Sequence, residues 1–352
     1  MAQDVASGPA LQPGLQEQGR SSERRPPWKR EVHRHTYGAI DLGTNNCRLL
    51  VARPTEAGFT VIDAFSRIVR LGEGLSQTGC LSDEAMDRAV AALSICADKL
   101  RRRNVSLARS VATEACRRAK NGPEFADRVR RETGIVLDII DPAEEARLAV
   151  LGCHKLLEPG DGPGLIFDIG GGSTELVLVE HVDGTPRIHS WWSAPWGVVS
   201  LTESEGREAL EGPDRIKAYK RMRERVRRAF SNFAAMLPQN KKGIRLLGTS
   251  GTVTTLASVH LALPSYDRRA VDGLHVPIEA MQQISTMIAG MDYQERTSLP
   301  CIGTERADLV VAGCAILEAI IEIWPAQNLG IADRGIREGI LRSLMARDGW
   351  QL

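Results

Sequence analysis

The chain is short of several things, and each shortage excludes a class of explanation. Its seven cysteines are scattered, odd in number and never spaced as CxxC. Neither a disulfide framework nor a zinc site is therefore indicated. No apolar run approaches the ~20 residues that a membrane span requires, and the N-terminus lacks the apolar core of a signal peptide. The expected compartment is the reducing cytoplasm, with no membrane association. Net charge is nearly absent as well, at +1 over 352 residues. Whole-molecule charge thus gives no reason to expect nucleic acid, and any anionic partner must be drawn by a local patch.

What remains is ordinary soluble material, 43% hydrophobic and 25% charged, and long enough for two domains. Residues 1–35 are dominated by Pro, Gly, Gln, Ser and Arg without apolar periodicity, and read as a disordered, basic, solvated tail. Strands are expected over 37–42, 46–52, 60–65, 67–71, 107–112, 135–140, 164–169, 174–180, 187–192, 243–247 and 329–332. Helices are expected from Ser82 to the Arg101–Arg103 triplet, from Asp141 to about Leu157, over 213–237, 277–290 and 306–323, and after Gly339.

The most informative stretch is 164–180. An apolar strand runs into Asp168, then Gly170, Gly171 and Gly172, then Ser173, Thr174 and Glu175, then a second apolar run. This is a hairpin whose tip is stripped of side chains, so backbone N–H groups can approach a ligand closely, with hydroxyls beside them. The layout has an echo at 37–52, where Asp41 is followed by Gly43, Thr44 and Asn45. Two such hairpins suggest two similar domains facing one cleft, with backbone donors for phosphoryl oxygens and carboxylates for Mg²⁺. Asp141-Pro142 opens a helix, with Glu144 and Glu145 in its first turn. Glu145 is the candidate water-activating base, and the positive helix end is expected to favour its ionised form. Arg117 is a candidate phosphate fork.

The helix at 213–237 presents Ile216, Tyr219, Met222, Val226, Phe230 and Phe233 on one face. Lys217, Lys220, Arg221, Arg223, Arg225, Arg227 and Arg228 occupy the others. This reads equally as a solvated face or as a track for a long polyanion.

These motifs resemble those of the exopolyphosphatase/guanosine pentaphosphate phosphatase (Ppx/GppA) family, within the actin/Hsp70/sugar-kinase superfamily. The resemblance rests on Asp41–Asn45 with Arg48, Ala112–Arg117, Glu144–Arg147, Asp168–Glu175, Gly248–Gly251, Arg306–Asp308 and Asp333–Gly339. It implies an α/β fold of two ribonuclease-H-like domains around a central cleft. The domains would span 36–150 and 151–330, with 331–352 forming a C-terminal helix that returns to the first. It further implies Mg²⁺-dependent release of orthophosphate from inorganic polyphosphate or, alternatively, conversion of pppGpp to ppGpp. By motif, Glu145, Asp168 and Glu175 would be catalytic. Gly43, Thr44, Asn45, Arg117, Gly170, Gly171, Gly172, Ser173 and Thr174 would bind phosphate, and Asp41, Asp168 and Glu145 would hold the metal. A homodimer is expected by the same analogy. The chain resembles the short two-domain form, without an HD-type helical domain, and carries Thr44 where the family usually has serine. A superfamily kinase or ATPase, and a non-catalytic polyphosphate or alarmone binder, are the other function classes.

Overall fold

The computed structural model describes residues 35–350 apart from 57, 161, 183–184 and 237–242. The expected basic tail, His35 excepted, lies outside the described residues.

Two sheets organise the chain, and they repeat one plan. In the first, β1 (Tyr37–Leu42), β2 (Asn46–Thr55) and β3 (Gly58–Ile68) form an antiparallel meander. The parallel strands β4 (Leu107–Ala112) and β5 (Leu137–Ile139) extend it on the other side of β1, giving the order β3-β2-β1-β4-β5. In the second, β6 (Gly164–Ile169), β7 (Thr174–Val182) and β8 (Thr185–Ala194) form the meander. Strands β9 (Arg245–Thr249) and β11 (Asn328–Ala332) add in parallel beyond β6, and β10 (His275–Pro277) closes that edge antiparallel. The echo in sequence is thus an echo in topology, and the α/β class with two ribonuclease-H-like halves holds. Register aligns the repeats further, since Asp41 pairs with Arg48 across its hairpin and Asp168 with Glu175 across the other.

The inner faces of both sheets are covered by one helix pair. Pro142–Cys153 starts as its sequence dictates: Asp141 accepts the Glu144 N–H at 2.8 Å and Pro142 occupies the first turn. Leu148 joins a cluster with Tyr37, Leu50 and Val111 of the first sheet. Ala146, Val150 and Cys153 join Ile166, Val177 and Leu247 of the second. The helix Ile336–Arg347 lies against it and adds Ile340, Leu341, Leu344 and Met345 to the first-sheet cluster. Burial of each of these four is worth about 2 kcal/mol. The two helices approach backbone to backbone, because Gly339 faces the Leu148 carbonyl and Gly152 the Gly335 carbonyl, with no room for a Cβ at either glycine. On the outer faces, Asp83–Arg102 covers the first sheet, while Arg215–Met236 and Val310–Ile323 pack over the second.

Several local expectations need correction. Residues 67–71 do not form their own strand, because β3 continues through Arg67 to Ile68 in register with β2. The chain then turns at Arg70, whose φ is 47°. On the long helix, Ile216 is exposed, while Tyr219, Met222, Val226, Phe230 and Phe233 are buried. Its basic face is not an open track either. Arg221 and Arg225 pair with Glu205, Arg223 with Glu318, Lys217 with Asp214, and Arg227 and Arg228 with Glu224.

Candidate active site

The two hairpin tips meet at one cavity. It is lined from the first sheet by Asp41, Gly43, Thr44, Asn45 and Arg48, and from the second by Asp168, Gly170, Gly171, Gly172, Ser173 and Glu175. Glu145, Glu114, Arg306 and the segments 249–252 and 333–337 also line it. Each tip is held from behind. The Asn45 carbonyl accepts from the N–H groups of Val69 (2.9 Å) and Arg70 (3.1 Å), and the Thr44 carbonyl from Gly72 (2.9 Å). On the other tip, the first turn of the helix Val198–Glu205 takes up the carbonyls. Val198 N–H donates to Gly170 (3.0 Å), Val199 N–H to Gly171 (2.8 Å) and Ser200 Oγ to Gly172 (3.1 Å). The Gly170 amide closes the turn on the Ser173 carbonyl (3.0 Å), which leaves the amides of Gly171 and Gly172 as the tip's donors beside the cavity. Gly197 is needed for this packing, because a Cβ there would overlap the Gly171 backbone.

Carboxylates dominate the cavity, and removal from water dominates their titration. Glu145 is 6% exposed and Glu175 2%. Burial and the neighbouring Glu175 charge push the Glu145 carboxyl well up, against the pull of the Arg117 guanidinium 3.1 Å away. This corrects the expectation that the helix N-terminus would favour its ionised form, since desolvation and a like charge outweigh the helix end. Glu175 is also raised by burial, although it accepts from Ser173 Oγ (2.7 Å) and Ser193 Oγ (2.8 Å). Asp168 is pushed up to about 7 by burial, Glu175 and Asp41. Burial raises Asp41 too, opposed by Arg48 and Arg337.

Most of the expected site residues converge on this cavity, but two do not line it. Thr174 is fully buried and its hydroxyl donates to the Trp196 carbonyl at 2.7 Å. Arg117 stands behind the cavity, its fork shared among Glu114 (2.6 Å), Glu145 (3.1 Å) and the Ile140 carbonyl (2.7 Å). Nor do Asp41, Asp168 and Glu145 form a ready-made ligand set, for no group of three potential metal ligands occurs among the described residues. Four arginines line the cavity, Arg48, Arg306, Arg334 and Arg337, and the motifs alone assign none of them a role. All four sit inside motifs quoted above, and Arg48 is the register partner of Asp41 across the first hairpin.

The Ppx/GppA phosphatase family matches residues 50–348. The chain is 31% identical over 320 residues to "Exopolyphosphatase 2" of Mycobacterium tuberculosis, covering 87% of this chain and 97% of that protein. The chain belongs to the Ppx/GppA phosphatase family. Within it, a second relative is the "Guanosine-5'-triphosphate,3'-diphosphate pyrophosphatase" of Aeromonas hydrophila, 29% identical, covering 89% of this chain but 60% of that one. Among solved structures, the Ppx/GppA family member of Aquifex aeolicus superposes with a TM-score of 0.73 at 29% identity, over 90% of this chain and 99% of that chain. A crystallised exopolyphosphatase-like protein reaches 0.79 at 28% identity, over 89% and 99%. The names of the two relatives agree with an enzyme that hydrolyses phosphoanhydrides. No helix among the described residues is long and apolar enough to cross a membrane.

Proposed function

We propose that this chain is a Mg²⁺-dependent exopolyphosphatase that removes the terminal phosphate of inorganic polyphosphate. The observation that carries the reading is the meeting of two hairpin tips beside a buried glutamate. Phosphoryl transfer depends mainly on positioning and charge neutralisation. The amides of Gly171 and Gly172, the Thr44 hydroxyl, Asn45, and the guanidiniums of Arg48 and Arg337 would take the phosphoryl oxygens, while the Ser173 hydroxyl is committed to Glu175 and the Gly170 amide to the Ser173 carbonyl. Glu145 would accept the proton of the attacking water. Its raised affinity for protons makes it a stronger base once ionised, and Arg117 holds it in place. Glu175, fixed by two serine hydroxyls, would orient the same water.

The residues present fit a divalent metal. Asp41 and Asp168 are hard oxygen donors, part-buried in the cavity wall and both raised in pKa by burial, in a cavity that also faces the phosphate hairpins. Mg²⁺ is usually held by one or two carboxylates, its own waters and substrate oxygens. The absence of a three-ligand cage therefore agrees with Asp168 and Asp41 holding it, with Glu145 left as base. Bound there, the ion would supply neutralisation of phosphoryl charge.

Polyphosphate is preferred because the exopolyphosphatase relative spans nearly the same length as this chain. The ion-paired helix Arg215–Met236 lends no support to that choice. The second reading, pppGpp hydrolysis to ppGpp, rests on the Aeromonas relative. Orthophosphate release with Mg²⁺ from polyphosphates of several lengths and from pppGpp, assayed in parallel, decides between them. Release from neither would overturn both. A cytoplasmic homodimer is the accompanying proposal, tested by sedimentation.

A further inference from the structure

The two hairpins belong to different sheets, so something must set the distance between them. On the first side, the segment 69–72 carries the Thr44 and Asn45 carbonyls on its amides. On the second, the helix Val198–Glu205 carries Gly170, Gly171 and Gly172 on its first turn. These two supports are joined outside the cavity by one side chain. Glu203, near the far end of that helix, accepts the Gly74 N–H at 2.9 Å through Oε1, and the Ser76 hydroxyl through Oε2. Nearby, Arg70 reaches Asp308 at 3.1 Å, adding a second tie between the same segment and the second half. Arg70 does so with its backbone in the left-handed region, at φ 47°, a conformation that non-glycine residues adopt only at a cost.

We infer that Glu203 is a positioning residue of the hydrolytic reaction, a strap that holds the two phosphate-binding hairpins at working separation. It touches neither the cavity nor any of its lining carboxylates. Its route to the substrate runs through Gly74 and the 69–72 amides to Thr44 and Asn45 on one side. On the other it runs through its own helix to the glycine tip. Both of its carboxylate oxygens are used, one on a backbone amide and one on a hydroxyl, so its removal loosens the seam rather than one hairpin. Substrate bridging the two tips would restore closure, because it contacts both. The signature of a lost strap is therefore weaker apparent affinity with turnover largely kept at saturation. If the closed arrangement falls to about one tenth of the population, KM rises about ten-fold.

The inference rests on the polyphosphatase reading, and its test separates the two. Glu203→Ala and Glu203→Gln are compared with wild type in Mg²⁺-dependent hydrolysis of polyphosphate of one length. Small-angle scattering of the full chain without substrate is measured alongside. Glu203→Ala is expected to raise KM about ten-fold with kcat within about two-fold, and to enlarge the radius of gyration. Glu203→Gln, which keeps an acceptor for the Gly74 amide, should fall between. An unchanged KM and radius in Glu203→Ala, or a loss of kcat at unchanged KM, would overturn the strap. Wild type inactive on polyphosphate would instead overturn the substrate assignment, and the scattering comparison alone would then decide on Glu203.

Discussion

A Cβ placed on Gly171 would lie 2.9 Å from the Cβ of Thr44 and 3.2 Å from the Asn45 amide. The two hairpin tips, contributed by sheets that repeat one topology, are therefore in van der Waals contact across the cleft. Glycine at 171 is required by that proximity, with no demand on φ involved.

Gly171→Ala follows directly. Thr44 and the Asn45 backbone would have to give way, misplacing one phosphate cradle against the other. A displacement of about 1 Å at a positioning element costs on the order of 10²-fold in rate. The overpacking itself costs about 1–3 kcal/mol. The expected outcome is a large loss of kcat/KM in a protein that still unfolds cooperatively, measured by phosphate release and urea denaturation. Wild-type activity in this variant would contradict the tip-to-tip geometry.

Glu145→Gln should lower kcat by about 10²–10⁴-fold, the usual contribution of a positioned base. Because burial already disfavours the ionised carboxyl, glutamine keeps both shape and charge at this position, and substrate affinity should be retained. Calorimetric titration with polyphosphate of uniform length reads the second part. Undiminished turnover would remove Glu145 from its role.

Asp168 gives the site a pH-dependent stability of unusual sign. With its carboxyl raised to about 7 in the folded protein, the native state holds a proton that the unfolded chain releases near 4. Between those values the folded form binds more protons, so metal-free stability falls as pH rises through this window. Melting in EDTA should show that decline, and Asp168→Asn should flatten it. Added Mg²⁺ should raise the melting temperature more at pH 7 than at pH 5, since it replaces the departing proton.

Arg117 supports the site from behind. Arg117→Ala would leave the buried Glu145 without its guanidinium and Glu114 with Arg118 alone, costing about 3–5 kcal/mol. It would also move Glu145 further up, since Arg117 opposes its raised pKa. The acid limb of the pH–rate profile is then expected to shift to higher pH. Arg117→Lys keeps the charge but not the fork, and should recover part of each effect.

The hairpins and the Asp141 helix start were legible because their signals are local: a strand, a turn and a cap within a few residues. What escaped depended on partners distant in the chain. The one-sided charge of residues 217–228 is unbalanced only along the sequence, because Glu205 and Glu318, which offset Arg221, Arg225 and Arg223, come from other helices. Ile216 fits the apolar spacing of its helix, but it lies at the helix start, where the packing partner no longer covers it. Thr174 looked like part of the cradle by adjacency. Strand alternation instead turned its hydroxyl to Trp196, away from the side that Ser173 serves. Short segments such as Leu75–Thr78 and His275–Pro277 carry too few residues for any period to show. Glu203 was invisible for the same reason as the ion pairs, since its partners lie 127 and 129 positions away.

The packing of Ile336–Arg347 on the first sheet has a consequence for biosynthesis. Tyr37 in the first strand hydrogen-bonds Asp348 just past that helix, across 311 residues of sequence. At ordinary elongation rates those residues take about 15–60 s to emerge from the ribosome. Throughout that interval the sheet bearing Asp41 and Asn45 lacks the apolar cover of Ile340, Leu341, Leu344 and Met345. Because β11 of the second sheet and this helix emerge almost together, both sheets are completed only at the end of synthesis, and hydrolytic competence arrives only when translation has passed this helix.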